Sequence, residues 1–218
     1  MFFLAGILLA APSLVFAKDT AGRDKHKKEI GRTEKSVIYD NGDGTHTREI
    51  SAFKVNFRDK SGRMVKIENY PVKTAGKGFE VKNNPIESGF PEETGSDDTV
   101  KMNALSWNLK AVSLVSADGK HPVILAKNRK KGESIKSNIK YEGVFENMDD
   151  TYSIAPGRVK NSLILHKLPE LPKGTEAKYL KITGEYTLKK GAKVFVNGKE
   201  LTEKIQTGDG FEITAPGE

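Results

Sequence analysis

The sequence predicts an all-β protein: an antiparallel β-sandwich or stack of sheets built from successive hairpins. Three observations carry that prediction. Apolar and polar residues alternate over short stretches, most cleanly where Phe53, Val55 and Phe57 interleave with Lys54, Asn56 and Arg58. Turn signals such as Asn41-Gly42, Asp43-Gly44 and Asn197-Gly198 recur between those stretches. Beyond the opening apolar segment, no window carries the i, i+3, i+4, i+7 stripe of an amphipathic helix.

The chain has 218 residues, 36 Lys or Arg against 29 Asp or Glu, and a formal charge of +7. That length suffices to bury a core. Cysteine is absent, which excludes a disulfide scaffold, a thiolate zinc site, a cysteine nucleophile and a lipid-modified N-terminal cysteine.

Residues 1–17, MFFLAGILLAAPSLVFA, contain no charged side chain. Val15-Phe16-Ala17 places small residues where a signal peptidase reads, so a signal peptide cleaved after Ala17 is expected. The rival reading is an uncleaved anchor, although a helix of this length spans only roughly 25 Å against a hydrocarbon core of ~30 Å. Export to the cell surface or medium follows as an expectation. Residues 18–35 hold seven basic and four acidic side chains with almost nothing apolar. That composition predicts a solvated basic linker.

The β module is expected over 36–170. Ser36 to Tyr39 and Thr45 to Ile50 flank the first turn, and Phe53 to Arg58 and Met64 to Ile67 flank Asp59-Lys60-Ser61-Gly62. Residues 83–98, rich in proline, glycine and acidic side chains, read as a surface loop. Strands are expected at Lys101 to Leu109, Ala111 to Val115, Pro122 to Leu125, Tyr141 to Phe145, Thr151 to Ile154 and Val159 to Leu165. Over 171–218, further hairpins at Tyr179 to Ile182, Tyr186 to Leu188, Val194 to Val196 and Phe211 to Ile213 suggest the start of a second β unit. The predicted core is Phe53, Val55, Phe57, Val65, Ile67, Trp107, Val144, Phe145, Tyr152, Leu163 and Leu165.

Few residues suggest chemistry. Asp40 to Thr45 lacks the carboxylate spacing of a calcium loop and reads as a plain turn. His26, His46, His121 and His166 stand singly, without metal-ligand spacing. No serine-nucleophile elbow or Gly-rich phosphate loop occurs, so no cofactor is expected. Glu142, Glu146, Asp149 and Asp150 could be imagined as a glycosidase pair, but they read better as solvated strand and turn residues. The strongest local charge is Lys127, Arg129, Lys130, Lys131, Lys136 and Lys140, with Glu133 among them. It is a candidate site for an anionic wall polymer. Nucleic acid is disfavoured, because the stretch contains no aromatic residue for base stacking.

Three stretches together resemble the N-terminal β-rich region of secreted RHS (YD-repeat) and wall-associated bacterial surface proteins. They are IYDNGDGTHTREIS with FKVNFRDKSGRMVKIEN, Leu105-Ser106-Trp107, and YEGVFENMDDTYSIAPGRVKNSLIL. In the last, Tyr141, Val144, Phe145, Asp149, Tyr152, Val159 and Lys160 carry the likeness, while Asp150 and Asn161 depart from it. The resemblance covers roughly residues 35–170 and implies a non-catalytic surface module with a structural or interaction role. Its implied partner is a downstream repeat region. A binding module for anionic wall polymer or glycan is the alternative, and the membrane enters only through an uncleaved first segment.

Overall fold

A computed structural model describes residues 27–95, 98–116, 122–169, 179–200, 202 and 211–214. The expected signal segment and its cleavage point lie outside them. The fold is all-β: the described residues form antiparallel strands and no helix. In chain order the strands are β1 (Lys28–Thr33), β2 (Ser36–Asp40), β3 (His46–Ile50), β4 (Asn56–Arg58), β5 (Met64–Lys66), β6 (Val72–Thr74) and β7 (Gly78–Val81). Then come β8 (Ser88–Phe90), β9 (Val100–Met102), β10 (Leu105–Val115), β11 (Val123–Ile124), β12 (Gly132–Ile135) and β13 (Asn138–Phe145). The last are β14 (Met148–Ala155), β15 (Arg158–Leu165), β16 (Tyr179–Leu188), β17 (Lys193–Val196), β18 (Lys199–Glu200) and β19 (Phe211–Thr214).

Two sheets enclose the core. The larger runs β11-β10-β9-β8-β7-β6, with β16 on the far edge of β10; the smaller runs β12-β13-β14-β15. One apolar cluster is filled from both. Phe79, Val81, Phe90, Leu109 and Val112 enter from the larger sheet, and Ile139, Tyr141, Val144, Phe145, Met148 and Tyr152 from the smaller. Phe90 and Tyr152 meet with ring centroids 5.3 Å apart. Strands β1-β2-β3 form a separate sheet, β4-β5 a two-stranded hairpin, and β18-β17-β19 another small sheet. Asn197 and Gly198 turn between β17 and β18 at φ 51° and 74°, the left-handed pair that a two-residue hairpin turn demands.

Several expectations need correction. The linker expected to reach Lys35 already holds a strand, because Lys28–Thr33 pairs with β2. Backbone pairing and a polar fastener do there what apolar content does not. Asn56, fully buried, donates from Nδ2 to the carbonyls of Thr33 and Ser36 and accepts from Arg32.

The same asparagine upsets the predicted strand face. Asn56 points inward, Val55 and Phe57 are half-buried, and Phe53 is 79% exposed. The N–H groups of both Val55 and Asn56 donate to the Glu34 carbonyl, so the two-residue alternation does not extend back to Phe53.

Ile67, Val144, Phe145 and Tyr152 are core residues as expected, and Trp107 and Leu163 pack against the cluster. Leu165 is 39% exposed. The acidic loop at 83–98 contains β8, whose Phe90 is buried, and loop residues Asn84 and Thr94 are buried as well. The two strands expected between Lys101 and Val115 divide differently, into β9 and one long β10 with an irregularity between Leu109 and Ala111. Strand β16 pairs with β10 over ten positions, so the segment after 171 contributes to the main sheet.

Candidate functional site

The six basic residues do not assemble into one free patch. Lys127 is nearly buried, 2.7 Å from Asp98, and its Nζ also donates to the Leu109 carbonyl. Arg129 pairs with Glu93 at 2.7 Å, and Lys140 with Asp149 at 2.9 Å. Lys131 forms a bridge to Glu93 through its backbone, and Lys136 sits exposed in the β12–β13 turn at φ 53°. The Lys130 side chain is exposed and lies beside Gly143. Three of the six cations therefore have carboxylate partners within the fold.

The acidic cluster is divided likewise. Glu142 is exposed and Glu146 occupies the β13–β14 turn, but Asp149 and Asp150 are not turn residues. Both lie in β14 and are buried, at 2% and 4% exposure. Burial pushes the Asp149 carboxyl up, yet Lys140, His166 at 2.8 Å and the Gly143 N–H outweigh it and hold the group at about 2. His166, scattered in sequence, thus has a structural partner. Gly143 falls within the irregular part of the β13–β14 pairing, so Asp149 fastens a place where the ladder is interrupted.

Asp150 faces a drier setting. Burial raises its pKa to about 6, although Asn161 and the Tyr152 hydroxyl donate to it and Lys127 lies near enough to pull it down; Asp98 pushes it up. Adjacent residues of one strand point to opposite faces. Asp149 and Asp150 consequently do not confront each other across a cleft as a glycosidase pair would. Among the described residues no group of three His, Asp or Glu side chains converges as a metal site. In the Asp40–Thr45 turn, the Asp40 and Asp43 carboxylates accept from Gly42 and Thr45 of that same turn.

Two hollows bring charged residues together. One, of about 760 Å³, is lined by Glu93, Asp98, Lys110, Lys127 and Arg129, among others. Its charges are paired: Lys127 with Asp98, Arg129 with Glu93, and Lys110 with Glu185.

The other, of about 860 Å³, is an open groove between the β4–β5 turn and the ends of β7, β8 and β9. Its lining includes Phe57, Arg58, Asp59, Lys60, Arg63, Glu80, Lys82, Glu87, Ser88, Lys101, Met102 and Lys189. Three pairs neutralise part of this charge: Lys60–Glu87 at 2.8 Å, Arg63–Asp59 at 3.1 Å and Lys82–Glu80 at 3.2 Å. Lys101 and Lys189 have no carboxylate partner among the described residues, and Arg58 donates to the Gly62 carbonyl.

One wall is stiff. Asp59 accepts from Ser61 and Arg63, bonds that hold its carboxyl at about 2. Ser88 is buried, and its hydroxyl has no hydrogen-bond partner among the described residues. Sequence reasoning missed this groove because its basic residues come from four distant segments. No local run of charge marks it.

No protein-family model, curated protein or solved structure matches this chain.

Proposed function

We propose that the chain is a non-catalytic structural or interaction module, exported to the cell surface and corresponding to the N-terminal part of an RHS-like surface protein. The observation that supports this reading is the use of its buried ionisable groups. Asp149, Asp150, Lys127 and Lys140 all contact groups of their own fold, and Asp149 and Asp150 project to opposite faces of one strand. General acid–base chemistry needs such groups to face a substrate instead.

Fractionation of producing cells with N-terminal sequencing tests the reading. A chain beginning at Lys18 in the envelope or medium, encoded upstream of Tyr-Asp repeats, is the expected result. A cytosolic chain beginning at Met1 contradicts it.

A second reading is binding of an anionic wall polymer or glycan, and the groove favours it. Arg58, Lys101 and Lys189 leave that groove with positive charge that no carboxylate among the described residues cancels. Contacts of this kind weaken as salt is added. The site so implied differs from the Lys127–Lys140 run, because half of that run is already paired.

A further inference from the structure

The outer side of β16 is the longest uncovered strand edge in the described fold. All ten residues from Tyr179 to Leu188 are exposed, and their described partner strand is β10, along one side only. The pairing irregularity falls on β10, between Leu109 and Ala111, so β16 itself runs without interruption. It contains no proline. Among the described residues no strand pairs with its outer side, the side on which an edge strand can take up another.

Its side chains alternate. Leu180, Ile182, Tyr186 and Leu188 share one face, opposite Leu114, Val112, Trp107 and Leu105 of β10, and they remain 38–52% exposed. That face continues the apolar surface of the core sheet past the point where other strands cover it. Lys181, Thr183, Glu185 and Thr187 form the opposite face.

The spacing of the two charges singles out an occupant. Lys181 and Glu185 stand symmetrically about Thr183. Antiparallel pairing of β16 with a second β16, centred on Thr183, sets Lys181 against the partner's Glu185 and Glu185 against the partner's Lys181. The same register sets Leu180 against the partner's Tyr186 and Ile182 against the partner's Gly184. Each two-fold contact is made twice, as an isologous dimer requires.

We propose that this chain forms a two-fold dimer by edge-to-edge pairing of β16, in the register that places Thr183 on the symmetry axis. The interaction goes beyond the role proposed above and does not depend on it.

Sedimentation of the full chain with charge-reversed variants tests the pairing. The wild type sediments as a concentration-dependent dimer. Lys181→Glu or Glu185→Lys each set like charges opposite one another twice, and weaken the dimer by about tenfold or more. The double variant restores the pairs and recovers most of the affinity. Glu185 also meets Lys110 at 3.1 Å within its own chain, so Lys181→Glu, which leaves that pair in place, is the cleaner of the two single variants.

Because the sequence has no cysteine, one introduced thiol reports the register without interference. Thr183→Cys joins to itself with a short thiol-to-thiol linker at low protein concentration, whereas Ile50→Cys, on the exposed β3, does not. A wild type that stays monomeric overturns the proposal. So do single charge reversals that dimerise normally, a double variant that fails to recover, or a Thr183→Cys chain that cross-links no better than Ile50→Cys.

Discussion

The Trp107 indole occupies the space that a side chain on Gly184 would need. A Cβ built on Gly184 falls 1.6 Å from Trp107 Cη2, and the ring goes on to meet Tyr186 with centroids 4.4 Å apart. Gly184, paired with Leu109 two register pairs along from Trp107–Tyr186, lets β10 and β16 keep their ladder while the indole lies across it. Gly184→Ala must push a rigid ring aside, at a cost of about 1–3 kcal/mol. Trp107 is the one tryptophan in the sequence, so a shift in its fluorescence together with a lower melting temperature checks this. An unchanged emission spectrum contradicts the placement.

Asp150 gives the fold a pH dependence of unusual sign for an aspartate. Its folded pKa of about 6 lies above the ordinary aspartate value of 3.8, so the native state holds the proton more tightly than the unfolded chain. The penalty is full above about pH 6 and disappears below about pH 4. Stability therefore rises on acidification through that window, by an amount on the order of 3 kcal/mol. Asp150→Asn should flatten denaturant midpoints measured between pH 7 and 4. A wild-type midpoint that falls across that range counts against the buried, protonated acid.

Asp149 acts in the opposite direction. Its folded pKa of about 2 lies below 3.8, so its contribution is present above the unfolded value and is lost as pH falls through the folded one. Asp149→Asn removes the charge that Lys140, His166 and the Gly143 N–H share. The expected loss is about 2–3 kcal/mol at pH 7, read as a lower denaturant midpoint. A loss below the error of that measurement means the network contributes nothing.

The basic run separates into fold-supporting and free cations by mutation. Lys127→Ala leaves the largely buried Asp98 without its partner and costs about 3–5 kcal/mol. Lys136→Ala, on an exposed turn, changes stability by no more than about 0.5 kcal/mol. Thermal melts of the two variants check the contrast. Equal melting temperatures would return Lys127 to the solvent.

Much of the fold was legible because it depends on short-range pattern. Tyr152 stands where β14 alternates, and Asn197-Gly198 announces its turn without help from distant residues. Phe53 failed the same test because one polar residue, Asn56, fills the inward position with hydrogen bonds to β1 and β2. Phe90 was hidden among acids and prolines whose composition describes the loop around it rather than the strand within it. The charged residues were least legible. Whether Lys127 is free or paired depends on Asp98, 29 positions away, and the fate of Asp149 depends on His166, 17 positions away. Opposite charges brought together by sheet topology leave no trace in local charge density. For the same reason the richest basic run, Lys127 to Lys140, is half neutralised, while the groove with uncancelled charge is assembled from remote segments.

The groove can be probed against that run directly. Lys101→Glu combined with Lys189→Glu should weaken retention of the chain on an anionic polymer such as polygalacturonate by about tenfold at low salt, whereas Lys130→Glu with Lys131→Glu should have a smaller effect. Cosedimentation at low and high salt checks both. Equal losses from the two pairs would leave the groove without a special part.

If the chain is the non-catalytic module proposed above, a polymer it meets is left intact. The most direct measurement incubates the purified chain with the envelope polysaccharide of the producing cells, then records both the protein retained and the length of the polymer. Salt-sensitive retention would add the second reading, binding of an anionic polymer; the non-catalytic module itself leaves polymer length unchanged. Shortened polymer, with the shortening abolished by Asp150→Asn, would contradict it and make β14 the centre of a hydrolase.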